Sequence, residues 1–202
     1  MERAFDTADN YGRPLCGTVT RVQGKFKVRH RSPHAGARII KATANQTGVD
    51  DFDFVIGNWT VQHRRLKERL VGCTEWLAFE GTSRTQKILG GLGNVEDNFL
   101  DLPDGEYRAA AIRSFNPATG QWSIWWLDQR NPGNLDTPVV GCFSNGKGLF
   151  YADHNLNGRP IRIRFTWLPK DRNSARWEQA FSSDGESTWE TNWTMEFSRV
   201  QY

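Results

Sequence analysis

Trp59-Thr-Val-Gln-His-Arg-Arg65 alternates: Trp59, Val61, His63 and Arg65 share one face of an extended chain, and Thr60, Gln62 and Arg64 the other. Successive side chains of a strand point to opposite sides, so this period of two reads as a strand. The preceding Asp51-Phe-Asp-Phe-Val-Ile-Gly57 does not alternate and reads as a short helical or turn-like plug. Beyond it, segments 74–82, 83–89, 95–100, 107–115, 121–127, 139–143, 148–154, 161–168, 175–182 and 188–198 read as strands, about eleven with the first.

The breaks between these segments have turn chemistry. Gly90-Gly-Leu-Gly-Asn94 tolerates positive φ, and Pro103-Asp-Gly105, Asn116-Pro-Ala-Thr-Gly120, Asn145-Gly146, Asn157-Gly158 and Asp184-Gly185 suit hairpins. No amphipathic helical stretch is long enough for a crossover between parallel strands. An all-β, antiparallel up-and-down barrel of about eight to ten strands follows, because closure removes the exposed edges of so many hairpins. Such a barrel encloses side chains and at most one small ligand.

Composition agrees. Nine Trp, all within 59–193, and nineteen Gly fit short strands and tight turns better than helices. Residues 1–49 lack Trp and sustained periodicity. They hold nine Lys/Arg against three acids, a net +6 within a chain total of +3, which leaves residues 50–202 at −3. We therefore expect two parts: a basic, poorly structured N-terminal extension over 1–49 and a barrel domain over 50–202. A basic tail on a mildly acidic domain argues only faintly for nucleic acid. No apolar run is long enough to span a membrane, and no apolar stretch of signal-peptide length opens the chain. The three cysteines, Cys16, Cys73 and Cys142, match neither a disulfide framework nor a zinc site. A cytoplasmic location is the expectation, and it argues against the one bridge available within the domain, Cys73 to Cys142.

Four segments carry a family resemblance. Phe52-Asp-Phe-Val-Ile-Gly-Asn-Trp59 resembles an opening "FDFWLGxW". Gly90-Gly-Leu-Gly-Asn-Val-Glu96 resembles a glycine turn followed by an acid. Phe115-Asn-Pro-Ala-Thr-Gly-Gln-Trp122 with Trp126-Leu-Asp128 resembles "YDPATGxW…WxD", and Ser182-Ser-Asp-Gly-Glu-Ser-Thr-Trp189 resembles "SxDGGxTW". In this order, over 51–199, they resemble the calycin or lipocalin-like bacterial β-barrels, in a family of unknown function. The resemblance implies a cup-shaped barrel with a ligand cavity and no specific reaction. Glu186 departs from it, standing where a second Gly is usual, so the last hairpin is expected to turn differently. The single "SxDG" turn also lacks the repetition a propeller requires and reads as a brace.

The candidate chemistry is sparse. His63, on the face of Trp59 and Val61, reads either as a general acid/base or as a core histidine satisfied by neighbours. Asp128, on the face of Ile124 and Trp126, reads as a catalytic acid or as the cap of the turn over 129–133. Glu96 at a strand start points into the cavity or pairs with an arginine. Arg65 shares the His63 face near the strand end and reads as snorkelling. Ile161, Ile163, Phe165 and Trp167 alternate with Arg162 and Arg164, which places those arginines outside. Trp177, Gln179 and Phe181 share a face, and a buried Gln between aromatics needs partners in a neighbouring strand or a ligand. Trp59, Trp126 and Tyr151 complete the expected binding residues; the inward face of the Tyr151 strand is ambiguous. The Trp side chains either line a cavity or fill the core.

No P-loop, dinucleotide fingerprint, Gly-x-Ser-x-Gly elbow, His-x-x-x-His or Cys-x-x-Cys is present, so metal hydrolysis and covalent serine chemistry are disfavoured. No metal and no cofactor is expected. The first functional expectation is a barrel acting on a small apolar or aromatic molecule, as a cofactor-free isomerase, cyclase or lyase with His63, Asp128 or Glu96 moving protons. The alternatives are a non-catalytic carrier or sensor of a hydrophobic ligand and a haem-binding barrel using His63 or His154. A homodimer is compatible with the chain; membrane and nucleic-acid partners are disfavoured.

Overall fold

The computed structural model describes residues 48–201. The expected basic extension therefore lies outside the described residues, apart from Gly48 and Val49. A 3-10 helix, Asp53–Val55, precedes ten strands: β1 Gly57–Leu66, β2 Trp76–Ile88, β3 Gly93–Asp101, β4 Tyr107–Asn116, β5 Gln121–Asp128, β6 Val139–Ser144, β7 Lys147–Leu156, β8 Arg159–Asp171, β9 Ser174–Ser182 and β10 Glu190–Arg199. Each pairs antiparallel with its neighbour in sequence, and β1 pairs with β10, so the sheet is a closed up-and-down barrel. Among the described residues no helix is long and apolar enough to cross a membrane. Cys73 is a free thiol, so no Cys73–Cys142 bridge exists.

Ten strands replace the eleven segments because 74–82 and 83–89 form one strand. β2 pairs with β1 from Gly57↔Thr85 to Leu66↔Trp76 without a break at Thr82. Gly81, within it, is a packing requirement: a Cβ there would lie 2.8 Å from His63 Nε2 and 2.4 Å from the Phe99 carbonyl oxygen. Register shifts occur instead on β8, between Pro169 and Asp171, and on β10, between Thr191 and Trp193, where Asn192 is the extra residue.

One end of the barrel is sealed by the segment before β1. Phe52 is 1% exposed and sits among the rings of Trp122, Phe143, Phe150 and Trp167, with centroids 5.0–5.9 Å away. Several of these pairs are edge to face, the arrangement the ring quadrupoles favour. Hydrogen bonds lock the plug: Trp59 Nε1 donates to Val55 O at 2.7 Å, and Trp122 Nε1 to Gly48 O at 2.9 Å. From β10, Arg199 donates to the carbonyls of Ile56, Phe54 and Arg172 while covering the Trp59 ring at 4.2 Å. Gly57, at φ +122°, leaves room for this; a Cβ there would lie 2.6 Å from Arg199 Nη1. The Phe52–Trp59 stretch is thus a stopper and its clasp.

The expected brace at the last hairpin is present. Asp184 accepts the Ser182 and Thr188 hydroxyls at 2.8 and 2.6 Å and the Thr188 N–H at 3.0 Å, which hold its carboxyl down to about 2. Glu186 takes φ +69° where glycine is usual, and its N–H donates to Ser182 Oγ.

Candidate functional site

Above the Phe52 plug the barrel holds a cavity of about 430 Å³ that opens at the opposite end. Its floor is a buried charged cluster from β2, β3 and β4. On β4, Tyr107, Ala109, Ala111, Arg113 and Phe115 face inward; on β3, Asn94, Glu96, Asn98 and Leu100 do. Arg113 stands opposite Asn94 and diagonal to Glu96 in the β3–β4 register, the two positions cross-strand side chains reach. It pairs with Glu96 through Nη2 and donates from Nη1 to Asn94 Oδ1 at 2.8 Å. Ser83 Oγ donates to the other Glu96 oxygen at 2.6 Å. The guanidinium lies between the rings of Phe52 and Trp167, 5.1 and 5.2 Å from their centroids. Burial of such a pair is tolerated when the remaining lone pairs and protons are satisfied, and here all but Arg113 Nε have partners.

The walls are aromatic. Phe165, Trp177, Trp193 and Trp126 form an edge-to-face ladder, with successive centroids 4.8, 5.6 and 6.2 Å apart. Trp126 and Trp193 come from β5 and β10, on opposite sides of the barrel, and meet across its interior. Gln179 also lines the cavity; its Nε2 donates to Oδ1 of the bulge residue Asn192 at 2.8 Å. The bulge thus turns a fully buried side chain toward Gln179.

The mouth is polar. Asp128 is clasped by Arg130, whose Nε and Nη2 donate at 2.9 and 2.6 Å, and the Arg130 N–H also reaches it at 2.8 Å. These bonds, Arg130 foremost, hold the Asp128 carboxyl below the ordinary aspartate value. Asp136, also at the cavity, is raised by burial, against the pull of nearby His154.

Of the residues expected to form a site, Glu96, Asp128, Trp126, Trp177 and Gln179 border this one cavity. His63, Trp59 and Tyr151 do not. His63 is in the wall: its ring stacks on Phe79 at 4.5 Å, and Nδ1 accepts a 3.3 Å hydrogen bond from Trp193 Nε1. It therefore touches the cavity only through the Trp193 ring. Burial, and secondarily Arg65, lowers its pKa to about 3, so it is neutral at ordinary pH. Trp59 belongs to the clasp of the closed end. Tyr151 is on the outer face, against Trp189 and under Arg162, because Gly148, Phe150 and Ala152 take the inward positions of β7. Arg162 and Arg164 are outside, as their strand's alternation indicates, but Arg164 stacks on Trp189 at 4.2 Å and is not simply solvated.

Arg113 and Arg69 border the cavity without having been singled out in the sequence. A signal for Arg113 exists: it interrupts the face Tyr107-Ala109-Ala111-Phe115. The opposite face, Arg108, Ala110, Ile112 and Ser114, is equally mixed, so alternation alone does not orient β4. Arg69 lies between strands and carries no periodic signal.

No protein-family model matches the chain, and no curated protein matches it. Among solved structures, that of EF1p2_mFAP2b bound to DFHBI is similar at 10% identity and a TM-score of 0.43, covering 76% of this chain and all of that one.

Proposed function

We propose that the barrel binds a small, flat, mainly apolar molecule in its open-ended cavity and holds it, as a carrier or sensor does, without transforming it. The supporting observation is the ring-lined cavity itself. Its volume of about 430 Å³ lies within the usual range for small-molecule sites. Its deep carboxylate, Glu96, is engaged by Arg113 and Ser83, and Asp128 is engaged by Arg130, so neither is placed to exchange protons with a guest. The calycin-type resemblance of residues 51–199 agrees with this reading. A haem reading through His63 lacks support, since its ring is stacked in the wall behind Trp193.

Fluorescence titration with N-phenyl-1-naphthylamine tests it. The wild-type protein is expected to bind the dye, and Ala111→Phe, which fills the cavity from β4, to bind it at least about tenfold more weakly. Absence of binding to the wild type, or unchanged affinity in a folded Ala111→Phe variant, overturns the reading.

Cofactor-free proton transfer is a second reading, and Asp136 is what favours it: a cavity carboxyl raised by burial beside His154. A natural ligand recovered from the purified protein separates the two. Returned unchanged on incubation, it supports holding. Converted, with conversion lost in Asp136→Asn, it supports an isomerase, cyclase or lyase.

A further inference from the structure

Arg69 borders the cavity mouth, and neither Asp128 nor Glu190 forms an ion pair with it. Asp128 is taken by the Arg130 fork. Glu190 accepts the Leu70 N–H on both oxygens, at 2.8 and 3.0 Å. Leu70 sits at φ +59°, a conformation costly for a branched residue. The Glu190 clamp holds it there, and with it the β1–β2 loop that carries Arg69 to the cavity. Among the described residues Arg69 forms no ion pair. Its Nε is buried without a hydrogen-bond partner, and its guanidinium lies 5.9 Å from the Phe181 ring centroid. Behind it, Arg65 covers the Phe79 and Trp193 rings at 5.7 and 5.4 Å, hydrogen-bonds the Tyr107 phenol, and among the described residues likewise forms no ion pair. Burial, and secondarily the neighbouring Arg65, disfavours charge on Arg69, against a smaller pull from Tyr107 and Glu190. Asp136, the remaining acid of the mouth, makes no ion pair with Arg69 and feels His154 instead.

Buried polar groups in native proteins are nearly always partnered, so an unpartnered one on a cavity wall calls for a ligand. A cation on the wall of a low-dielectric cavity, with a second cation behind it, favours negative charge there. A planar guanidinium whose Nε–H is unpartnered matches an oxyanion in particular. We propose that the ligand is amphipathic: its ring system enters the cavity, and an oxyanion of the carboxylate or sulfonate type lies against Arg69 at the mouth, with Arg65 reinforcing the field. This rests on the reading that the cavity binds a flat molecule, and it narrows that class to organic anions.

A matched pair of dyes isolates the charge. 1-Anilinonaphthalene-8-sulfonate and N-phenyl-1-naphthylamine share one ring frame and differ by the sulfonate. The wild-type protein is expected to prefer the sulfonate by roughly tenfold or more, the scale of one hydrogen-bonded charge contact. Arg69→Gln should abolish that preference while leaving the neutral dye's affinity within about twofold, and Arg69→Lys should restore part of it. Neutral dye bound without a preference for the sulfonate, or a preference that survives in folded Arg69→Gln, overturns the inference and leaves the cavity reading intact. Failure of both dyes to bind overturns the cavity reading and this inference with it.

Discussion

The two ends of the barrel use the same residue types for opposite purposes. At the closed end Phe52, Trp122, Phe143, Phe150 and Trp167 interlock, fastened by Trp59 and Arg199. At the open end Trp126, Trp177, Trp193 and Phe165 meet edge to face and border a cavity. The boundary between them is the Arg113–Glu96 pair, which sits on the plug and faces the cavity. An aromatic-rich composition is therefore compatible with a packed end and an open cavity at once. A plug inserted from outside the barrel wall is what separates the two.

The largest expected effect lies at that boundary. Arg113→Ala strands a buried carboxylate and should cost roughly 3–5 kcal/mol in unfolding free energy. A double variant, Arg113→Met with Glu96→Leu, should recover most of that loss in chemical denaturation. Similar losses in both would mean the pair does more than neutralise itself. Phe52→Ala comes next, at about 3–4 kcal/mol by the usual cost of removing a buried ring. Its dye affinity should stay within a few-fold of wild type if the two ends are as independent as distant sites generally are.

A smaller effect concerns His63. Its folded pKa of about 3, against an unfolded value of about 6.5, means that the unfolded chain takes up a proton the fold excludes. Stability from this group is complete above about pH 6.5 and is lost progressively as the pH falls toward 3. Between pH 7 and 5 the loss is about 2 kcal/mol. Urea midpoints for wild type and His63→Asn at the two pH values should differ by that component, and parallel losses would show that His63 is not its source. The smallest stability effect is expected at the open end. Trp126→Ala, removing a partly exposed ring, should cost only about 1–2 kcal/mol while weakening N-phenyl-1-naphthylamine binding by about tenfold. The opposite ranking, with stability hit harder than binding, would mean the open end is a packed core after all.

Much of this was legible in the chain. Alternation located nearly every strand, and Asn-Gly and Asp-Gly marked the hairpins. The non-alternating Phe52 segment stood out as a plug, and Trp177, Gln179 and Phe181 were grouped on one face, which is the face that lines the cavity. Where reading failed, the faces were mixed. β3 turns Asn94, Glu96 and Asn98 inward and Phe99 outward, the reverse of a hydrophobic expectation, because Arg113 on the next strand requires acceptors there. Tyr151 is an amphipathic residue whose strand could face either way, and Phe150 in the Phe52 cluster decides its orientation.

The sequence by itself determined the local geometry: period-two strands, turn residues that accept positive φ, and a connectivity that forbids parallel crossovers. These follow from dihedral sterics and near-neighbour spacing, which any short window carries. Only the tertiary structure decided the register in which β1 closes on β10, which face of each mixed strand points inward, and that the rings pack at one end and part at the other. Those outcomes depend on pairings between residues as distant as Trp59 and Arg199. There, burial and charge are balanced across strands, and no single segment contains both sides of the balance.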